Sequence, residues 1–336
     1  MLFLFSERDD LDITEDMSLV VAGTGLALIS IIFTFRSNQW ALLLRKIIAL
    51  SEYGITTELK QTVRRCKILS KLCTGLCFLG TFIYILKAYY ESFNCIQRNE
   101  EKGLNEICFV MMSAWLPFDL STKGEVLLFA LQALASCFAT VPGKLGDVPG
   151  VSLLIPFLNW EAAQIVCERI YHLKELSQIV LREKQPGKVG PKMRSWIGYH
   201  QKILEILEEQ NYEAKFCLGH VSLIAALAIG CLINQAFNTN TWGALCEISG
   251  WMCCLFFLCD AGQKITDNTE SIGEAIYAMK WYKTDIQTRK DLFFILRRTQ
   301  KSMELDALPL GTLNYALYLT IVKTSYSYVT WLTHTT

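Results

Sequence analysis

Enzyme signatures are missing from this chain: it has no HExxH, no GxSxG and no Walker loop. The GxG at Gly23–Gly25 lacks the strand, helix and acid that would give it meaning. Charge is scarce as well, at 19% of residues, and proline occurs only seven times in 336 positions. Net charge is zero, so no overall field draws in nucleic acid or an acidic partner. MLFLFSERDD offers only four apolar residues after Met1 before charge begins, too few for the apolar region of a secretory signal. Thirteen cysteines are present, but they form no CxxC pair with companion ligands, and the adjacent Cys253 and Cys254 cannot both point at one metal. No metal or cofactor is expected.

What is present is apolar surface. Hydrophobic residues make up 52% of the chain and mean hydropathy is +0.28, which favours a membrane protein over a soluble domain. Six stretches approach the roughly 20 residues a helix uses to cross a bilayer: 17–35, 68–89, 126–141, 216–235, 245–260 and 308–332. Gly, Cys and Thr interrupt most of them, as they do in spans that pack against other protein. The expected fold is an all-α polytopic membrane bundle.

The distribution of charge orients this bundle. The connections 36–71, 161–215 and 263–302 hold 25 of the 32 Lys and Arg residues. The first sixteen residues hold one basic residue against six acids, and 90–123 holds three. Basic connections stay cytoplasmic, so six spans place both termini outside. Cys95, Cys108 and Cys246 then lie on the outer side, where Cys95 and Cys108 are able to bridge. Lys87 and Asp260 sit near span ends, with their charge expected to snorkel to water.

The inner connections carry apolar residues at helical spacing. These are Leu43, Ile47 and Leu50, then Ile165, Ile170, Leu173 and Leu176, then Ile197, Ile203, Leu204 and Leu207. The last set is Ile272, Ile276, Trp281, Leu292, Phe293 and Leu296. Spans therefore extend into the cytoplasm as amphipathic helices, whose stripes pack either within the chain or against sister subunits. His172 and His200 fall in these helices and are expected at their surface. EKQPGKVGPK (183–192) reads as a linker. VPGKLGDVPG (141–150) is either a broken helix inside the membrane or the end of a span. Three regions result: a bundle over 1–182 with an outer loop at 90–122, helices and two spans over 183–262, and assembly helices with the last span over 263–336.

That last span ends on KTSYSYVTWLTHTT, with seven Ser and Thr residues, a lysine and a histidine. At 100° per residue, Thr320, Thr324, Ser327, Trp331 and His334 share one stripe, flanked by Lys323 and Thr335. Tyr318, Val322 and Val329 lie opposite. A polar face of this kind either packs on a sister helix or lines a water path around an axis.

The segment LCDAGQKITDNTESIGEAIYAMKWYKTDIQTRKDLFFILRRTQKSMELDA, followed by LPLGTLNYALYLTIVKTSYSYVTWL, resembles the C-terminal signature of insect odorant receptors. Tyr277 and Trp281 close its acidic amphipathic stretch, 289–301 match its basic helix, and 323–329 match its "KTSYSYF". WLPFDLS (115–121) is similar to the family's second outer loop. The Thr-Tyr and Gln-Phe pattern of the sister gustatory family is absent from the last span.

The resemblance implies seven spans, the N-terminus inside and the C-terminus outside. With six spans counted, the family's first span has no counterpart, so a shortened or incomplete, even non-functional, receptor is one expectation. The main expectation is a non-enzymatic, multi-pass plasma-membrane subunit of a ligand-gated cation channel. A small volatile ligand would open it, within a heterotetramer containing a common co-receptor. The resemblance places pore lining on Thr324, Ser327, Tyr328, Trp331 and Thr335, although Trp331 and Thr335 stand where the family has aliphatic constriction residues. Subunit assembly falls to Tyr277, Trp281, Leu292 and Leu296. No family motif transfers to the ligand pocket. Its candidates are outer-half residues of four spans: Thr24, Phe82, Ile85, Tyr89, Phe129, Gln132, Cys231 and Gln235. A G-protein-coupled chemoreceptor is the alternative, against which the outside C-terminus argues, and a transporter would show an inverted repeat that is not found.

Overall fold

The computed structural model describes residues 13–103, 107–110, 121–140, 155–182, 186–239, 242–307 and 309–335. The 141–150 break, the 104–106 and 111–120 parts of the outer loop, and the start of the linker lie outside them. Ten α-helices are described: α1 (Ile13–Phe35), α2 (Ser37–Ala49), α3 (Thr57–Lys102), α4 (Thr122–Thr140), α5 (Ile155–Arg182), α6 (Pro186–Leu218), α7 (Val221–Thr239), α8 (Trp242–Tyr277), α9 (Ile286–Thr299) and α10 (Tyr315–Thr335). A two-residue antiparallel pair, β1 (Asp306–Ala307) and β2 (Gly311–Thr312), precedes α10.

Helix ends follow local chemistry. The Thr56 hydroxyl accepts the Leu59 amide at 3.2 Å and starts α3, which runs 46 residues until Gly103 adopts φ +64°. Asp285 caps α9 by accepting the Thr288 amide, and Arg297 and Arg298 occupy its last turn, where the helix dipole favours cations. The final helix starts seven residues later than its apolar run. Residues 309–314 instead hold the hairpin turn and β2, where Gly311 has φ +105°, and Asn314 Oδ1 caps α10 on the Leu317 amide at 2.8 Å.

Among the described residues, three helical runs are long and apolar enough to cross a membrane: Thr57–Glu101, Val189–Ile233 (α6 continuing into α7) and Ala244–Tyr277. The pair formed by α1 and α2, bent by 68°, would make a fourth. Arg36 sits at that bend and holds Glu213 of α6 through two hydrogen bonds of 2.6 Å, with its guanidinium over the Tyr212 and Phe216 rings. A charged residue leaving the apolar layer thus turns the chain and fixes it to α6.

At the basic end, α2, α5 and α6 join α8 and α9 in one apolar core. Leu43, Ile47, Leu50, Ile170, Leu173, Ile203, Leu207, Ile272, Ile276 and Leu292 are all buried in it. These parts of the amphipathic stripes therefore find partners inside the single chain, whereas Phe293, in the last stripe, is 65% exposed. His200 follows them inward at 4% exposure, stacked on Trp196, and His172 is half-buried beside Tyr199. Both differ from the surface positions expected of them, because α5 and α6 pack on each other where a lone helix would face water.

Toward the other end, α7 packs on α1, α8 and α10, and α5 runs along α8. Gly25 lets α1 approach α7, since a Cβ there would meet Ile224 Cγ2 at 2.6 Å. Helix α3 packs mainly on α4 and α5, and no residue of its most apolar stretch is fully buried against protein. A disulfide joins Cys95 to Cys108, tying the end of α3 to the outer loop.

Candidate functional site

The described part of α10 has two faces. Ile321 and Ser325 are buried, and the Ser325 hydroxyl reaches the Ala226 carbonyl of α7 at 3.3 Å. Thr320, Lys323, Thr324 and Ser327 are exposed on the chain. Tyr318 and Val322, expected opposite the stripe, are half-buried. Each stripe hydroxyl donates to its own helix: Thr320 to Ala316 O at 2.8 Å, Thr324 to Thr320 O at 2.7 Å, and Ser327 to Lys323 O at 3.0 Å. The hydroxyl protons are thereby committed inward, and the oxygen lone pairs point away from the helix. The side chains of Tyr328, Trp331, His334 and Thr335 lie outside the described residues, as does that of Val329.

The foot of α10 is held by a network of which the sequence shows only one pair. Asp260 does not snorkel: it is 4% exposed and its carboxylate receives donors from three helices. Tyr315 Oη donates to one oxygen at 2.6 Å, and Trp160 Nε1 and Lys264 Nζ meet the other at 2.6 and 2.9 Å. Gln164 adds a longer contact of 3.4 Å. Beside it Gly262 meets the hairpin, where a Cβ would fall 2.0 Å from Leu313 O. Asp306 of β1 pairs with Lys215 of α6 at 3.1 Å. The i,i+4 spacing of Asp260 and Lys264 was a visible signal. Trp160 and Tyr315, far off in sequence, were not.

The proposed pocket residues are only partly brought together. Tyr89 of α3 and Phe129 of α4 approach with ring centroids 6.1 Å apart. Thr24 and Cys231 lie on the packed helices α1 and α7, Thr24 exposed and Cys231 half-buried. Phe82 is exposed, Ile85 and Gln132 are half-buried, and the Gln235 side chain lies outside the described residues.

A groove of about 700 Å³ opens instead at the basic end, between α8 and α9, lined among others by Glu270, Glu274, Tyr277, Trp281, Leu296 and Arg297. Three of the four candidate assembly residues thus face it. The fourth, Leu292, is 2% exposed and packs beneath near Trp196, supporting the groove from inside the chain.

A helical, multi-pass membrane protein emerges, with a hydroxyl-bearing last helix anchored at its foot and an aromatic groove at its basic end. The family described as 7tm odorant receptor matches residues 15–326, and the chain belongs to it. Its members are receptors rather than enzymes. Among Drosophila melanogaster proteins, the chain is 27% identical to odorant receptor 22c over 143 residues, covering 38% of this chain and 35% of that protein. It is also 27% identical to putative odorant receptor 85d over 141 residues, covering 40% and 34%. The aligned part thus spans about a third of the length of these relatives. The fold matches the insect olfactory receptor OR5 from Machilis hrabei in complex with eugenol, with a TM-score of 0.79 at 13% identity, covering 100% of this chain and 84% of that one. The same receptor in a second structure gives a TM-score of 0.78 at 16% identity, covering 98% and 83%.

Proposed function

We propose that the chain is the odorant-binding subunit of a ligand-gated, non-selective cation channel, assembled as a heterotetramer with a common co-receptor. The observation that carries this reading is the exposed stripe Thr320, Thr324 and Ser327, whose hydroxyl protons are tied to the helix. Around a central axis such a face would present oxygen lone pairs to water and cations. Pore lining is assigned to Thr324, Ser327, Tyr328, Trp331 and Thr335. Subunit contacts are assigned to the groove of Tyr277, Trp281 and Leu296, with Leu292 below it. A small volatile ligand would occupy the outer half among Thr24, Phe82, Ile85, Tyr89, Phe129, Gln132, Cys231 and Gln235, an apolar set with a few polar groups. Binding would favour the open bundle over the closed one.

Currents evoked by a panel of volatiles that includes eugenol, recorded with and without a family co-receptor, test the reading. Current is expected only with the co-receptor, and current from this chain alone would overturn the obligate heteromer. Thr324→Leu and Ser327→Leu are expected to lower unitary conductance at unchanged surface expression. Unaltered conductance in both variants would remove the stripe from the pore.

A further inference from the structure

Along the first turns of α3, Lys60, Arg64, Lys67 and Lys71 are all exposed, at spacings of four, three and four. At 100° per residue these cations fall within an arc of about 60°, and the 1.5 Å rise spreads them over about 16 Å of helix. The packed side of α3 points elsewhere: Leu59 and Cys66 are buried, and Thr62 donates to Glu168 of α5. Glu58, the acid of the first turn, also projects away from the arc.

Several other cations of the basic end are neutralised in place. Arg36 holds Glu213, Lys46 holds Glu205 and Glu209, Lys202 holds Glu52, and Lys215 holds Asp306. Among the described residues, none of the four stripe cations enters an ion pair. The same helix continues above Lys71 into its most apolar stretch, no residue of which is fully buried against protein. Gly75 there faces open space, and Phe78, exposed, shares the azimuth of the cations.

From this juxtaposition we infer that the stripe is a binding surface for a polyanionic phospholipid of the cytoplasmic leaflet. Phosphates would lie against Lys67 and Lys71, with Arg64 and Lys60 reaching the more distal phosphates. The acyl chains would run past Gly75 along Phe78. Charge and depth select this occupant. An anionic headgroup on an inositol ring carries several negative charges at the membrane surface, whereas an acidic protein segment would leave the adjoining apolar face uncovered. Clusters of four or more basic residues immediately cytoplasmic of a span bind such lipids, at about 1 kcal/mol per cation near the surface. The inference goes beyond the channel reading and stands without it, resting on the membrane bundle and on the basic end facing the cytoplasm.

The test uses the purified full chain and dioctanoyl phosphatidylinositol 4,5-bisphosphate, with affinity read by thermophoresis. Dioctanoyl phosphatidylserine and soluble inositol trisphosphate are run beside it. Saturable binding of the phosphoinositide is expected. Lys67→Gln with Lys71→Gln is expected to weaken it about thirtyfold, while Lys67→Arg with Lys71→Arg retains it and Lys290→Gln, on α9, leaves it unchanged. Equal affinity in the wild type and the double glutamine variant, at matched melting temperatures, would overturn the site. Inositol trisphosphate binding as tightly as the lipid would overturn the membrane source, and indifference between phosphatidylserine and the phosphoinositide would overturn the polyanion preference.

Discussion

Asp260 shows at the residue scale how a buried charge is made tolerable. A carboxylate in an apolar setting is costly unless it is paired and hydrogen-bonded. Here Lys264 supplies the countercharge, and Tyr315 and Trp160 supply short hydrogen bonds of 2.6 Å each. Tyr315→Phe removes one charge-assisted hydrogen bond and is expected to cost about 1.5–3 kcal/mol. Asp260→Ala strands Lys264 and the Trp160 indole, and is expected to cost more. Both appear as lower melting temperatures of the purified protein, with Tyr315→Phe the milder variant. A variant as stable as wild type would show that the foot of α10 is held by the hairpin alone.

Packing between α5 and α6 decides histidine chemistry at the scale of elements. The His200 ring is buried against Trp196, and that burial, with the nearby Arg298 charge, pushes its pKa down to about 4. In the unfolded chain it titrates near 6.5. The unfolded state therefore binds the extra proton first. Stability from this residue is intact above about pH 6.5 and falls as pH drops from there toward 4. Melting temperatures measured between pH 7.5 and 5 are expected to fall, and His200→Phe to flatten part of that slope. His172, also lowered by burial and by Arg169, adds to the same trend. Neither effect was legible in the sequence, because a histidine on an amphipathic helix looks solvated until a neighbouring helix covers it. The apolar stripes themselves were legible: Leu43, Ile47, Ile170, Leu173, Ile203 and Leu207 were read from spacing and are buried.

For the whole molecule the charge count makes an orientation that can be checked directly. An epitope placed after Thr336 is expected to stain intact cells without permeabilisation. Staining only after permeabilisation would reverse the orientation and remove the cytoplasmic leaflet from the lipid inference. The sequence by itself determined the class: helical period, apolar length and the clustering of basic residues are local properties, and a membrane reads them one segment at a time. It also placed the stripe of Thr320, Thr324 and Ser327 on one azimuth, since helical geometry alone fixes that. Tertiary structure decided which face of each helix is covered. It drew Asp260, Trp160 and Tyr315 into one network across separations of 100 and 55 residues. It also buried His200 and Leu292, joined Cys95 to Cys108 and left the cations of α3 uncovered. Those outcomes depend on which helices become neighbours, and periodicity along one segment carries no information about the surface that will meet it.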